Sequence, residues 1–209
     1  MKWTFPIPMC ASSVYLSSRR LPHSRQRGFS LVEVLVSIVI LSFGLLGMVG
    51  LQASALKNNR DARLQSEALG LARELAEMMR ANPSVATQST AANNPYLGNF
   101  RAGGSMAPAA PSSCLNVGQK CANATDVASA QMTEWLARAN NKLPGIRVTV
   151  CMDSAPYDAK GLPQWGCDSE GNISYIKLGW VRENTKNEIK AAEDSRPYVI
   201  LPVTPGGQL

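Results

Sequence analysis

The sequence predicts an α+β fold: one long N-terminal helix, apolar in its first half and amphipathic in its second, laid on a small antiparallel β-sheet. Three observations predict it. Residues 29–51 form an apolar run with a single charge. Residues 57–82 carry apolar side chains at helical spacing. The β-branched, strand-like runs all lie in the last third of the 209-residue chain.

The run FSLVEVLVSIVILSFGLLGMVGL has 23 residues, of which 16 are apolar, three are Ser, three are Gly and one is Glu33. The next charge is Lys57. At about 1.5 Å per residue, about 20 apolar residues cross a hydrocarbon core of roughly 30 Å. The run therefore predicts a transmembrane helix. Arg19, Arg20, Arg25 and Arg27 precede it, and Lys57, Arg60 and Arg63 follow it. The denser flank predicts a cytoplasmic N-terminus and a translocated C-terminal part. A signal peptide with an A-x-A site at Ala53-Ser54-Ala55 is the competing reading. Its apolar region spans only about 7–15 residues, and an acid inside it would cost up to ~2.5–3.5 kcal/mol at mid-membrane. Glu33, retained, calls for a partner.

Charge and composition exclude several functions. Five of the six net positive charges fall in residues 1–28, as Lys2 and the four arginines, so the body is near neutral. No direct nucleic-acid contact is predicted. The one histidine, His23, also lies in that leader, leaving the body without a His general base, a Ser-His or Cys-His pair or a His metal ligand. The expectation is no enzyme, no metal and no cofactor.

In the second half of the helix Leu64, Ala68, Leu71, Leu75 and Met78 form one apolar stripe, the face expected to pack on the globular domain. Arg63/Glu67 and Arg73/Glu77 are i,i+4 pairs worth about 0.2–0.5 kcal/mol each. Asn82-Pro83 ends the helix. A continuous helix over 29–82 would be ~80 Å long. Gly44, Gly47 and Gly50 fit either a place to bend during extraction from the bilayer or close helix packing.

Residues 83–125 read as a long loop, with four prolines and only Arg101 and Lys120 charged. A helix is predicted over 126–141, capped by Thr125 or Asp126. Strands are predicted over 146–152, 173–181 (Ile176, Leu178 and Trp180 on one side) and 198–203, with turns over 158–163 and 168–172. Asp126, Asp153, Asp158, Asp168 and Glu170 lack calcium-loop spacing and read as solvated turn acids. Trp135 and Trp180 read as core, and Trp165 as exposed. Cys10 lies in the leader; Cys114, Cys121, Cys151 and Cys167 form an even set on the translocated side, where disulfides persist. Four cysteines allow three connectivities. Local pairing, Cys114 with Cys121 and Cys151 with Cys167, is the expectation, each bond contributing ~2.5–3 kcal/mol. A zinc site is disfavoured because no CxxC pair and no His accompanies them.

Arg27-Gly28-Phe29-Ser30-Leu31-Val32-Glu33 resembles the cleavage motif of type IV pilins. The stretch SLVEVLVSIVILSFGLLGMVGLQ, with Leu45-Leu46-Gly47 and Gly50-Leu51-Gln52, resembles PilV-type minor pilins, the type IV pilus modification proteins; the resemblance runs from residue 27 to about 82. It implies that prepilin peptidase cuts between Gly28 and Phe29 and N-methylates Phe29. Glu33 then becomes the fifth mature residue and meets the Phe29 amine of a neighbouring subunit. A wrong stagger would leave both charges buried and unpaired, at several kcal/mol each.

The implied architecture is the type IV pilin fold. Residues 1–28 are a cytoplasmic leader, 29–56 the membrane and filament-core half of the helix, 57–82 its amphipathic half, and 83–209 a periplasmic globular domain. The implied function is a minor pilin that helps initiate pilus assembly in a tip or priming complex, supporting twitching motility and adhesion. Its implied partners are prepilin peptidase, other minor pilins, the major pilin, the inner-membrane assembly platform and the lipid bilayer. Its implied location is the inner membrane, then the pilus at the cell surface. A minor pseudopilin of type II secretion shares the motif, and a soluble periplasmic binding domain released after Ala55 is the second alternative. A leader of 28 residues is long for the family; initiation at Met9 would leave 20.

Overall fold

The computed structural model describes residues 28–183, 189–190 and 195–206. The leader through residue 27, with Cys10, His23 and the basic cluster, lies outside the described residues. The chain divides into two compact units, Met1–Val49 and Gly50–Leu209.

The helix α1 (Leu31–Ala81) begins in the first unit. Every described side chain of that unit is exposed. An 18-residue window of α1 has a mean hydropathy of 2.6 with none of it buried. A soluble core helix would hide such a surface, so this segment is built for an apolar surround. Its hydroxyls are already satisfied: Ser37 Oγ donates to the Glu33 carbonyl and Ser42 Oγ to the Ile38 carbonyl, each at 2.7 Å. Such bonds to the preceding turn let serine sit in hydrocarbon without demanding water.

In the second unit the rest of α1 packs on a four-stranded antiparallel sheet, an α+β pilin-like fold. The sheet contains β1 (Gly98–Arg101), β2 (Arg147–Met152), β3 (Ser174–Gly179) and β6 (Val199–Val203), in the order β1-β2-β3-β6. All its pairings are antiparallel. A separate two-stranded ladder joins β4 (Arg182–Glu183) and β5 (Ile189–Lys190). The edge strand β6 carries Pro202, opposite Tyr175.

The apolar stripe of α1 is real but sits differently from its reading in sequence. Ala68, Leu71, Ala72, Leu75, Ala76 and Met79 are buried, whereas Leu64 and Met78 are only half-buried. Three alanines at i,i+4 spacing leave room for close approach, which a search for large apolar residues undervalues. The expected intrahelical ion pairs are replaced. Glu67 pairs with Lys142 at 3.0 Å, Glu77 with Arg80 at 2.6 Å, and Glu74 with Arg138.

Two of those bridges run to α3 (Ala124–Lys142), which is clamped to α1 by the Trp135 indole N–H donating to the Leu71 carbonyl at 3.1 Å. The cap of α3 is neither Thr125 nor Asp126 but Asn123, whose side chain accepts from the Asp126 N–H at 2.9 Å. Asp126 also accepts from the Ala122 N–H at 3.1 Å, one residue ahead of the N-cap amide that a capping box would use. Gly145 makes the turn from α3 into β2 at φ 56°, where an added Cβ would lie 2.4 Å from Val181.

The region 83–125 is not a plain loop. It holds the short helix α2 (Pro83–Ala86) and the edge strand β1, and Tyr96 and Phe100 enter the core. Buried Asn94 organises the connection, donating to the Ala86 and Gln88 carbonyls at 3.1 and 2.9 Å and accepting from the Tyr96 N–H at 3.2 Å.

Candidate functional site

The sequence places the candidate site at the head of α1. Gly28, Phe29 and Ser30 precede the helix, and Phe29 is 83% exposed. The Ser30 carbonyl accepts from the Glu33 and Val34 N–H groups at 3.0 and 3.3 Å and so starts the helix. Glu33 falls in the first turn, where the helix dipole favours an anion. Phe29, Glu33, Ser37 and Leu41 follow one another at intervals of four and line one apolar face with Val34 and Ile38. The Gly28-Phe29 bond is thus exposed and lies immediately before the helix. Cutting it would create an amine four residues from the Glu33 carboxylate. No basic side chain among the described residues pairs with Glu33.

The four body cysteines form two local disulfides. Cys114–Cys121 closes an exposed loop with Val117 at its tip, and Cys151–Cys167 ties the end of β2 to the segment that precedes β3. Under the second bond lies a pair that sequence reasoning missed. Lys177 and Asp153 are fully buried, with Nζ to Oδ2 at 2.5 Å. Lys177 also donates to the Gly166 carbonyl at 2.6 Å, and Asp153 accepts from the Ala155 N–H at 3.0 Å. Asp153 is therefore not a turn acid in water. Cys151, Asp153 and Cys167 lie together as a metal site would place them. The disulfide takes both sulfurs and Lys177 takes the carboxylate, so the trio offers no free ligand set.

The remaining acids of this segment shape turns. Asp168 accepts from the Ser154 hydroxyl and N–H and from the Glu170 N–H, and those bonds, led by the Ser154 hydroxyl, lower its pKa to about 2. Asp158 is lowered chiefly by the Leu162 N–H, and it pairs with Arg196 at 2.8 Å. Trp165 is half-buried rather than exposed. Arg147 stacks 4.3 Å from its ring centroid, and its indole N–H donates to the Ser195 carbonyl at 2.6 Å. What these groups do is hold a clipped loop over the outer face of the sheet.

Comparison with known families matches residues 23–49 to the one described as the Prokaryotic N-terminal methylation motif. No curated protein and no solved structure matches the chain. The matched residues enclose Gly28, Phe29 and Glu33. That motif, a lipid-length apolar helix and the α+β fold together support a membrane-anchored, type IV pilin-like protein, of the pilin or pseudopilin kind processed by prepilin peptidase and structural rather than enzymatic.

Proposed function

We propose that the chain is a minor pilin of the PilV type that helps start type IV pilus assembly, in a tip or priming complex with other minor pilins and the major pilin. The observation that carries this reading is the acid Glu33 set four residues after Phe29 at the head of an otherwise apolar helix. In the bilayer Glu33 can snorkel to the headgroup level. In a filament core it would be desolvated, and an unpaired charge there costs several kcal/mol. The N-methylated Phe29 amine of a neighbour relieves that penalty at one axial stagger only.

In this reading residues 1–28 are the cytoplasmic leader, 29–56 cross the inner membrane and later line the filament core, and 57–82 support a periplasmic domain over 83–209. The disulfides suit an oxidising compartment. Twitching motility and adhesion follow from the assembled pilus. A role in type II secretion uses the same processing, so deletion of the gene separates the two: loss of twitching with secretion intact supports a pilus role, and the converse overturns it. The decisive measurement is the mass of the mature N-terminus. Methyl-Phe29 is the expected start, while Leu56 would identify a soluble domain released after Ala55. Glu33→Ala is expected to be cleaved yet excluded from pili, and normal incorporation would overturn the pairing.

A further inference from the structure

The turn between Cys167 and β3 leads into two residues that the fold does not explain. Asn172 is exposed, and its side chain makes no hydrogen bond among the described residues. Ser174, the first residue of β3, has no exposure, and its Oγ has no hydrogen-bond partner. Burying an unpaired hydroxyl costs stability. Alanine would spare that cost, so packing does not account for the serine. Together they form Asn172-Ile173-Ser174, an Asn-x-Ser string with a non-proline centre. That string is the acceptor pattern for N-glycosylation on surface loops of translocated chains. Exposed Glu170 adds the acid two residues earlier that bacterial transferases of this class favour. The chain's other such string, Asn123-Ala124-Thr125, is accounted for by the fold, because Asn123 caps α3.

We propose that Asn172 is an N-glycosylation site, taking an oligosaccharide from a polyprenyl diphosphate donor before β3 is closed into the sheet. Asn172 Nδ2 forms a bond to the anomeric carbon of the first sugar. The bond from that carbon to the diphosphate oxygen breaks, and the diphosphate leaves with the electron pair. The amide gives one proton to a base of the transferase, and nothing is oxidised or reduced. The folded domain sets the timing. Ser174 pairs with Met152 on one side and Val203 on the other, and its hydroxyl is hidden. Gly171 runs so close to Asp153 that an added Cβ would lie 2.4 Å from the Asp153 carbonyl, and the Ile173 carbonyl accepts from the Asp153 N–H at 3.2 Å. The string is therefore open to a transferase only before this packing forms, whereas exposed Asn172 leaves room for the sugar afterwards. The proposal rests on the reading that residues 83–209 are translocated, and not on a role in starting pili.

The test takes the full chain from the membranes of the cells that encode it and reads the tryptic peptide Gly161–Lys177 by mass spectrometry with fragmentation. The expected result is an added oligosaccharide mass on Asn172 with sugar fragment ions. Asn172→Gln and Ser174→Ala should each abolish it, Ser174→Thr should keep it, and Asn123→Gln should leave it unchanged. Ser174→Ala breaks no hydrogen bond, so it should melt no lower than the parent protein, which separates loss of the sugar from loss of the fold. A sugar that persists in Ser174→Ala, or one carried on Asn123 instead, would overturn the proposal. So would a gain of about one mass unit alone, which is deamidation. The cysteines of an unreduced portion judge the compartment separately. An unmodified peptide beside oxidised Cys114–Cys121 and Cys151–Cys167 overturns the site and leaves the translocated reading standing; an unmodified peptide beside free thiols overturns both.

Discussion

Lys177 and Asp153 are separated by 24 residues and meet in a site with no exposure. In sequence Lys177 occupies an ordinary polar position of an alternating strand, and nothing local marks it as buried. Its burial comes from the clipped segment folding over the outer face of β3, a tertiary event that periodicity does not record. Removing one partner leaves an uncompensated charge, so Lys177→Ala should lower unfolding free energy by about 3–5 kcal/mol. Lys177→Met combined with Asp153→Leu should recover most of that loss in urea titrations. Tyr96 offers a second test. Burial pushes its pKa from 10.0 to about 12, against a smaller lowering by Asn82. Below pH 10 the phenol is neutral in both states and stability is intact; between pH 10 and 12 only the unfolded chain ionises. Stability should therefore fall by roughly 2–3 kcal/mol across that window, and Tyr96→Phe should flatten the fall in denaturation followed against pH.

Elements with strong periodicity were legible. The centre of the α1 stripe (Ala68, Leu71 and Leu75), the alternation of Ile176, Leu178 and Trp180, and the β-branched run of β2 read directly, because burial of one face imposes the pattern. The strand β1 was not, because Gly-Asn-Phe-Arg is too short to alternate and is recruited by pairing with β2. The apolar Tyr96, Leu97 and Phe100 within a polar stretch were the available signal. The cap at Asn123 was misplaced because Ala124 and Thr125 blur the boundary, and only the side-chain geometry resolves it. At this scale the Cys151–Cys167 bond should matter more than its partner. Cys151→Ser with Cys167→Ser should cost about 3 kcal/mol and expose Lys177 to hydrogen exchange, whereas Cys114→Ser with Cys121→Ser should cost about 2.5 kcal/mol. Gly145→Ala should destabilise by at least about 1–2 kcal/mol, since it meets both the left-handed backbone and Val181; thermal melts would read it.

The methylation motif at the head of α1 was legible in sequence, since such a motif is a local string of residues. The proposed pairing of Glu33 belongs to an assembly, and one chain would hold only half of it. With Ser37 and Ser42 satisfied internally, Glu33 is the ionisable group of residues 29–51, so on the proposed reading the choice of stagger would fall on it. Gly47→Ala, where an added Cβ meets nothing within 4 Å, should stiffen the helix by about 1 kcal/mol without a clash. A drop in pilus incorporation at unchanged membrane level would support bending as the role of that glycine.

The rim of the sheet carries a further consequence. At one side β1 offers four residues, and at the other Pro202 lacks an amide hydrogen to give to an incoming strand. Copies of the chain crowded together are thereby discouraged from fusing side by side into cross-β aggregates. On the proposed pilin reading, growth then falls to the greasy N-terminal rod, with Glu33 as its key.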